Sequence, residues 1–331
     1  MTPGRCVVEA VRGEVVESIH RVHVAVAHAE QGLIASAGNP AHHSFVRSSI
    51  KMFQALPFVE GGGVERFQLT GQELALCTAS HGGEPFHVAA ARAILAKAKV
   101  TEFSLACGPH LPLHEPTANA MLRAGEPPGR IHNNCSGKHS GMLAHCMQQQ
   151  WVTNGYHKAT HPMQQRVLTT LTTWMRINTE DVTIAVDGCG LPTFAIALDA
   201  VAEGCARFSA AVAAGDPAPA AIFNAMVAHP EFVAGTDRLD TDLMRAASTP
   251  LFAKVGAEGF YCAGIPSMKL GVALKVEDGN KRAAEPAILA VLRAIDAIGA
   301  AELDRLSNFS APQVRNTRNE SVGYLRTDIQ F

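Results

Sequence analysis

The chain has 331 residues, with 28 lysines and arginines against 30 aspartates and glutamates, which gives a formal net charge of −2. This balance provides no one-sided basic surface, so it argues against binding to nucleic acid or to an anionic membrane. Hydrophobic residues make up 47% of the chain and charged residues 18%, which excludes extensive disorder. The sequence has no unbroken apolar segment of signal-peptide or membrane-spanning length, so we expect a soluble cytoplasmic protein.

Strands followed by a helix are predicted for the N-terminal part of the chain. Residues 15–27 are rich in β-branched side chains, and a second apolar segment, 33–37, follows Gly32, which together predict a hairpin with its turn at the glycine. From about Ser48 the apolar residues recur every three positions, which predicts a helix that ends before the glycines at 61–63.

A helical region is predicted next. The spacing of apolar residues favours five helices, over residues 71–76, 85–98, 117–124, 138–150 and 161–175. The loops between them are rich in glycine, proline, histidine and asparagine, and loops often carry functional residues. Residues 182–187 are predicted as a short buried strand, and residues 193–228 as helical with a joint at 215–219.

Strand patterns return towards the C-terminal end. Residues 259–264 and 269–276 are predicted strands, followed by a helix over 286–297 and a strand over 322–326. Strands at both ends of the chain with helices between them predict an α+β fold. In this fold an antiparallel sheet, formed from the N- and C-terminal segments, packs against a helical lobe.

The same pattern predicts one two-lobed unit over residues 1–331. The sheet lobe takes approximately residues 1–45 and 250–331, and the helical lobe takes approximately residues 46–249. A chain of this length buries about three quarters of its unfolded surface, which is enough for two lobes that share one core.

A serine and a lysine three residues apart, Ser48 and Lys51, stand where the first helix is predicted to start. Side chains at i and i+3 share a helix face, so a neutral lysine can take the proton of a serine that attacks a carbonyl. The alternative is that Ser48 is only the N-cap of the helix. Two further segments favour the chemical interpretation: Ser80 lies in a glycine-flanked turn, and Lys254 lies in a Lys-Val-Gly segment before the C-terminal strands.

This order of motifs is similar to that of serine β-lactamases and serine-dependent glutaminases. Those enzymes have Ser-x-x-Lys at a helix start, a second hydroxyl from a loop, and Lys-x-Gly on a strand. A second lysine near Lys51 repels its positive charge and helps to keep it neutral. Val255 stands where penicillin-binding enzymes carry threonine or serine, which argues against penicillin chemistry.

Two cysteines, Cys135 and Cys189, lie in polar, glycine-rich loops at the edges of the helical region. They are compatible with a disulfide, a zinc site or two unrelated loop cysteines. A disulfide is disfavoured in a reducing compartment. For zinc, the third ligand is Lys138 or one of His132 and His139, and a fourth position is left for water or substrate.

Five segments resemble the rhizobial-type (class 3) L-asparaginases: residues 45–51, 80–83, 132–141, 187–192 and 254–259. The likeness runs over nearly the whole chain. It implies a serine β-lactamase/glutaminase-like fold, hydrolysis of L-asparagine to L-aspartate and ammonia, and a homodimer. It also implies zinc bound by Cys135, Lys138 and Cys189.

The resemblance further implies roles for the remaining motif residues. Two Ser-Lys pairs are expected, Ser48 with Lys51 and Ser80 with Lys254, and Ser48 is the predicted nucleophile. Four residues are expected to bind or orient the substrate: Arg47, His81, Asn133 and Asp187. Two alternatives stay open at this point, a glutaminase or penicillin-recognising hydrolase, and a zinc-binding protein without catalytic activity.

Overall fold

The computed structural model describes residues 6–331. The chain divides into two compact units. Unit 1 contains the described residues up to Ser49 together with Ala195–Ala213 and Asp242–Phe331, and unit 2 contains Ile50–Phe194 and Ala214–Thr241. Residues 195–213, which the sequence pattern assigned to the helical lobe, therefore belong to the unit that contains both ends of the described chain.

The strands of the described residues are β1 Cys6–Arg12, β2 Val15–His28, β3 Gly32–Ala37, β4 His43–Phe45, β5 Thr183–Val186, β6 Pro192–Ala197, β7 Phe252–Val255, β8 Phe260–Ile265, β9 Leu270–Val276, β10 Gln313–Arg315 and β11 Ser321–Ile329. Unit 1 contains an eight-stranded sheet in the order β10-β11-β1-β2-β9-β8-β7, with β3 paired to β2. Its neighbouring strands run antiparallel. The predicted antiparallel sheet from both chain ends is confirmed.

The strands at the centre of this sheet are buried and mostly apolar. Every residue of β8 and β9 is buried, as expected for strands that are covered on both sides. Gly271 of β9 allows one covering helix to come close, because a Cβ at this position would lie 2.2 Å from the Ala202 carbonyl oxygen. That carbonyl belongs to the helix that begins at Leu198.

The helices of the described residues are α1 Lys51–Glu60, α2 Gly63–Arg66, α3 Gly71–Cys77, α4 Pro85–Lys97, α5 Glu115–Ala124, α6 Ser136–Gln148, α7 Pro162–Met175, α8 Leu198–Ala214, α9 Pro217–Ala228, α10 Pro230–Val233, α11 Leu239–Ala246, α12 Lys281–Ala294, α13 Ala300–Arg305 and α14 Ser307–Ser310. The fold is therefore α+β, as predicted. None of the helices found within residues 6–331 is long and apolar enough to cross a membrane.

Helix α1 is the central helix of unit 2. All its residues from Lys51 to Val59 are buried, which is typical of a helix surrounded by others. It packs against α6, α7 and α9, while α3 packs against α4, α6 and α9. Gly137 permits the close contact of α6 with α3, because a Cβ there would lie 2.4 Å from the Leu76 carbonyl oxygen. The start of α6 is thus held against the end of α3.

Some predicted elements differ from the structure. Residues 193–197 are not helical but belong to β6, whose last three residues pair with β4. A short apolar run has the same appearance in a buried strand and in a helix, so the pattern was ambiguous here. Strand β5 is not buried but largely exposed, strand β1 was not predicted, and α12 begins at Lys281 rather than at Pro286.

Candidate active site

Ser48 lies in a 3₁₀-helix, Arg47–Ile50, that continues directly into α1 at Lys51. Ser48 is partly exposed, whereas Ser49 is fully buried and its hydroxyl donates to the Val46 carbonyl oxygen at 2.6 Å. Arg47 has a φ of +50°, in the left-handed region that non-glycine residues seldom adopt. Such strained residues cluster at functional sites. Of the two neighbouring serines, Ser48 is the one whose hydroxyl is not used to anchor the helix start.

Lys51 is fully buried and is surrounded by three hydrogen-bond acceptors. Its Nζ lies 2.5 Å from the Ala79 carbonyl oxygen, 2.8 Å from Ser80 Oγ and 3.1 Å from Cys135 Sγ. Three acceptors match the three N–H groups of an ammonium, and the same positions suit a neutral amine that accepts a proton from a hydroxyl. Lys51 therefore connects the predicted serine motif with the predicted cysteine motif.

The turn that carries Ser80 follows α3 and is fixed by backbone hydrogen bonds. The Ser80 N–H donates to the Val233 carbonyl oxygen at 2.9 Å, and the His81 N–H donates to the Asn134 carbonyl oxygen at 3.0 Å. Gly83 has a φ of +76°, and a Cβ on it would lie 3.0 Å from the His132 carbonyl oxygen. The glycine is required here, because a larger residue would be both strained and crowded.

Cys135 is the residue that precedes α6, so its sulfur lies at the N-terminal end of that helix. Asn133 fixes this helix start: its Oδ1 accepts from the Cys135 N–H at 2.9 Å, and its Nδ2 donates to the Gly108 carbonyl oxygen at 2.7 Å. Lys138 follows in the first turn of α6, buried like Cys135. Its Nζ donates to Cys189 Sγ at 3.5 Å.

Cys189 lies in the tight turn between β5 and β6. The Asp187 N–H donates to the Leu191 carbonyl oxygen at 2.7 Å, and the Gly190 N–H donates to the Asp187 carbonyl oxygen at 2.8 Å. The turn holds Cys189 next to Cys135, and the two thiols are hydrogen-bonded to each other. All eight cysteines lie among the described residues, and all are buried free thiols. The disulfide considered for Cys135 and Cys189 is not formed.

We call Lys51, Ser80, Cys135, Lys138 and Cys189 the lysine–thiol cluster. Within it Cys189 has a lower pKa than Cys135. The hydrogen bond from Cys135 outweighs the effect of burial and, together with Lys138, lowers the pKa of Cys189 to about 5. The same hydrogen bond and burial raise the pKa of Cys135 to about 12. Burial alone would lower the pKa of Lys138, but Cys189, Cys135 and Asp187 raise it above the ordinary lysine value.

Lys51 has the opposite electrostatic setting. Burial lowers its pKa; Cys135 raises it and Lys138 lowers it again, and the net result is a pKa below the ordinary lysine value. The two lysines of the cluster are therefore unequal: the pKa of Lys138 is raised and the pKa of Lys51 is lowered relative to the ordinary lysine value. Lys51 is the amine that more readily gives up its proton.

The donor set of the cluster is compatible with zinc. Within residues 6–331, histidine, cysteine, aspartate and glutamate side chains form no group of three or more suited to a metal, and Lys138 is the candidate third ligand beside the two cysteines. For Zn–S and Zn–N bonds of about 2.3 and 2.1 Å, a tetrahedral site separates sulfur from nitrogen by about 3.6 Å. Lys138 Nζ and Cys189 Sγ are 3.5 Å apart. Zinc would have to displace the proton of Lys138, as it does for any ligand that binds deprotonated.

Several predicted site residues have partners within the protein. His81 and Asn133 are buried, and both polar atoms of each side chain are hydrogen-bonded. Asp187 Oδ1 accepts from the Gly188 N–H at 2.8 Å. Lys254 is buried in β7 of unit 1, where its Nζ donates to the Val255 carbonyl oxygen at 3.1 Å. Arg47 belongs to unit 1 as well.

Three contacts of the site were not predicted. Lys51 contacts Ser80 and Cys135, whereas the sequence pattern paired it with Ser48. His81 contacts Ser136 at the start of α6. Residue spacing contains no signal for these contacts, because each joins segments far apart in the chain.

A buried lysine beside a serine hydroxyl is an arrangement that serine hydrolases use for acyl transfer. The chain matches the family model of L-asparaginase II over residues 8–327. It therefore belongs to the L-asparaginase II family and is an amidohydrolase, an L-asparaginase whose substrate is asparagine. A search of curated proteins finds no match.

Proposed function

We propose that this L-asparaginase acts through a serine acyl-enzyme in which Ser48 is the nucleophile and Lys51 the base. The observation that carries the proposal is the set of three acceptors around the buried Lys51 Nζ, one of which is Ser80 Oγ at 2.8 Å. A buried lysine whose neighbours are a hydroxyl, a thiol and a carbonyl oxygen suits a base, since burial is the largest influence on its pKa and lowers it.

The first chemical step forms the acyl-enzyme. Ser48 Oγ attacks the side-chain carbonyl carbon of asparagine while Lys51 Nζ takes the hydroxyl proton. Backbone N–H groups around Ser48 stabilise the oxyanion. When the C–N bond breaks, Lys51 returns the proton through the Ser80 hydroxyl to the departing nitrogen, which leaves as ammonia.

The second step hydrolyses the ester. Water attacks the acyl carbon and gives one proton to Lys51, which then passes it to Ser48 Oγ as aspartate is released. Ser80 thus serves as a proton relay next to Lys51, within hydrogen-bonding distance of it. For Lys254 the expectation from the sequence, a partner of Ser80 in proton transfer, stays a prediction. Arg47 and Asp187 are proposed to orient the substrate.

We further propose that Cys135, Lys138 and Cys189 hold zinc. Two sulfur donors and one nitrogen donor, all buried and with Cys189 in contact with the other two, are the kind of ligands that zinc accepts. When bound, the metal supplies a fixed positive charge that anchors the amino-acid end of the substrate. The protein's own part is to keep the three ligands together, which it does with the Asn133 side chain and the turn at 187–191. The homodimer expected from the resemblance is a proposal too.

Turnover of asparagine by paired serine variants tests the mechanism. Ser48→Ala should release no more than about a thousandth of the parent's ammonia per unit time, because it removes the nucleophile. Ser49→Ala is the matched control on the next residue. A comparison of asparagine, glutamine and a chromogenic β-lactam as substrates separates the asparaginase from the glutaminase and penicillin-recognising alternatives.

A further inference from the structure

The ring of His81 joins two segments of unit 2. Its Nδ1 accepts from the Gly83 N–H at 3.1 Å, and its Nε2 lies 2.9 Å from Ser136 Oγ. Because a backbone N–H can only donate, Nδ1 is the acceptor and the proton of the neutral ring is on Nε2. Nε2 therefore donates to the Ser136 hydroxyl. His81 and Ser136 are both fully buried.

His81 and Ser136, which this hydrogen bond joins, each directly follow a residue that accepts a hydrogen bond from Lys51. Ser80, which directly precedes His81, places its hydroxyl 2.8 Å from Lys51 Nζ. Cys135, which directly precedes Ser136, places its sulfur 3.1 Å from the same nitrogen. The His81–Ser136 hydrogen bond thus joins the two segments that provide these acceptors. It therefore fixes the distance between Ser80 Oγ and Cys135 Sγ, the two acceptors that flank Lys51 Nζ.

The His81 ring is held in place from the side. It stacks on His87 with ring centroids 4.8 Å apart and an interplanar angle of 18°. His87 is in turn fixed, since its Nδ1 accepts from the Glu84 N–H at 3.2 Å and its Nε2 lies 2.8 Å from the Glu231 carbonyl oxygen. With one partner on each nitrogen, His81 has no hydrogen-bonding capacity left for a substrate.

We infer that His81 is a positioning residue, which acts through Ser136 to set the distance between Ser80 and Cys135 and thereby the place of the Lys51 amine. This assigns His81 a different role from the substrate contact expected from the sequence. The inference rests on the proposed function, because a displaced Lys51 matters only where this amine transfers protons. A misplacement of about 1 Å costs up to roughly a hundredfold in rate.

Paired serine variants on α6 provide the sharpest test. Ser136→Ala removes the acceptor of the His81 Nε2–H. Ser140→Ala, one turn later, removes a buried hydroxyl that donates to the Ser136 carbonyl oxygen at 2.8 Å. Each variant loses one buried hydrogen bond, and Ser136→Ala also leaves the His81 Nε2–H without an acceptor, so it should lose more stability. Thermal unfolding checks that both variants are folded at the assay temperature. Only Ser136→Ala should lower kcat, by about tenfold or more, with KM changed less than about threefold.

Variants of His81 check the direction of the effect. His81→Gln keeps an N–H group near the position of Nε2 and should retain more kcat than His81→Asn, which keeps only an acceptor near Nδ1. If His81 acts through Ser136, the double variant His81→Asn/Ser136→Ala should lose no more kcat than the worse single variant. If His81→Asn does not fold, the Ser136 and Ser140 pair decides alone.

Three outcomes overturn the inference in a parent that hydrolyses asparagine: an unchanged kcat in Ser136→Ala, an equal loss of kcat in Ser140→Ala, or additive losses in the double variant. Failure of the proposed function looks different. It would show as an active Lys51→Met variant, or as a parent that releases no ammonia from asparagine, and the inference about His81 would then fall with it.

Discussion

The Nζ of Lys51 lies 2.8 Å from the hydroxyl oxygen of Ser80, although the two residues are 29 positions apart and belong to different elements of unit 2. The contact exists because α1 and α3 both pack against α6. It gives the buried lysine a hydroxyl neighbour that can accept its proton or return it. Ser48 stands three residues before Lys51 in the sequence, and we propose it as the nucleophile.

Removal of the Lys51 amine should abolish turnover. Lys51→Met keeps the length of the side chain in the buried site and takes away the base, so we expect kcat to fall by about a thousandfold, within the range found for general base catalysis. The measurement is ammonia release at saturating asparagine. Lys158→Met, on an exposed turn of the same unit, is the control and should leave kcat unchanged. A Lys51→Met variant with a third of the parent rate would refute the assignment.

The adjacent serines should separate chemistry from stability. Ser48→Ala should lose nearly all activity and keep the unfolding temperature of the parent, because Ser48 is partly exposed. Ser49→Ala should keep its activity and lose about 1 kcal/mol of unfolding free energy, since it removes the 2.6 Å hydrogen bond to Val46. Activity assays and urea unfolding of both variants give the comparison. Wild-type activity in Ser48→Ala would be incompatible with its role as nucleophile.

Loss of a thiol ligand should release zinc. Cys135→Ala removes one of the three proposed ligands, so we expect the purified variant to contain less metal and to need more asparagine for half-maximal rate. Because Cys135 Sγ also accepts a hydrogen bond from Lys51, kcat should fall as well. Cys146→Ala, which removes a buried thiol near the other end of α6, should keep the metal content and the kcat of the parent. Elemental analysis measures both; a parent purified without chelators that contains no zinc would end the metal proposal.

The stability of unit 1 should depend on acid pH through Glu302. The hydrogen bond from Ser248 Oγ, at 2.5 Å, and those from backbone N–H groups, among them Gly299 at 3.0 Å, lower the pKa of Glu302 to about 2. A glutamate in the unfolded chain titrates near about 4.3, so the folded state holds this proton less tightly. The contribution to stability is therefore complete above about pH 4.3 and is lost as the pH falls towards 2.

Two variants test this pH dependence. Glu302→Gln should flatten the dependence of the unfolding free energy on pH between about 4.3 and 2, relative to the parent. Ser248→Ala should give an intermediate slope, because it removes only the strongest of the hydrogen bonds. Denaturant unfolding at a series of pH values measures the slopes. Equal slopes in the parent and Glu302→Gln would contradict the role of this carboxylate.

Local patterns allowed much of the fold to be predicted. The hairpin at Gly32, the helix after Ser48 and the strands at 259–276 are confirmed. Each could be predicted because its signal, the spacing of apolar residues or a turn glycine, lies within a few positions of the sequence. The helical prediction for 193–197 failed for the opposite reason. The pairing of these residues with β4, about 150 positions away in the chain, leaves no local mark that distinguishes a strand from a helix.

The sequence allowed the residues of the site to be predicted, but not the contacts between them. Ser-x-x-Lys spacing and the two polar cysteine loops mark chemically capable residues, and the family resemblance joins them. The contact of Lys51 with Cys135, 84 positions apart, depends on the packing of α1 against α6. The bridge from His81 to Ser136 depends on the fixed turn after α3. Neither contact follows from spacing, because tertiary packing alone brings the segments together.

The most direct test of the account is to locate the acyl group. The enzyme is mixed with L-asparagine, quenched in acid within the first turnover, digested and analysed by mass spectrometry. If Ser48 is the nucleophile, an aspartyl ester is found on Ser48 in the parent and is absent from the Lys51→Met variant. An ester on Ser80 would transfer the role of nucleophile to that residue, and an enzyme that turns over asparagine without any serine ester would contradict the acyl-enzyme mechanism.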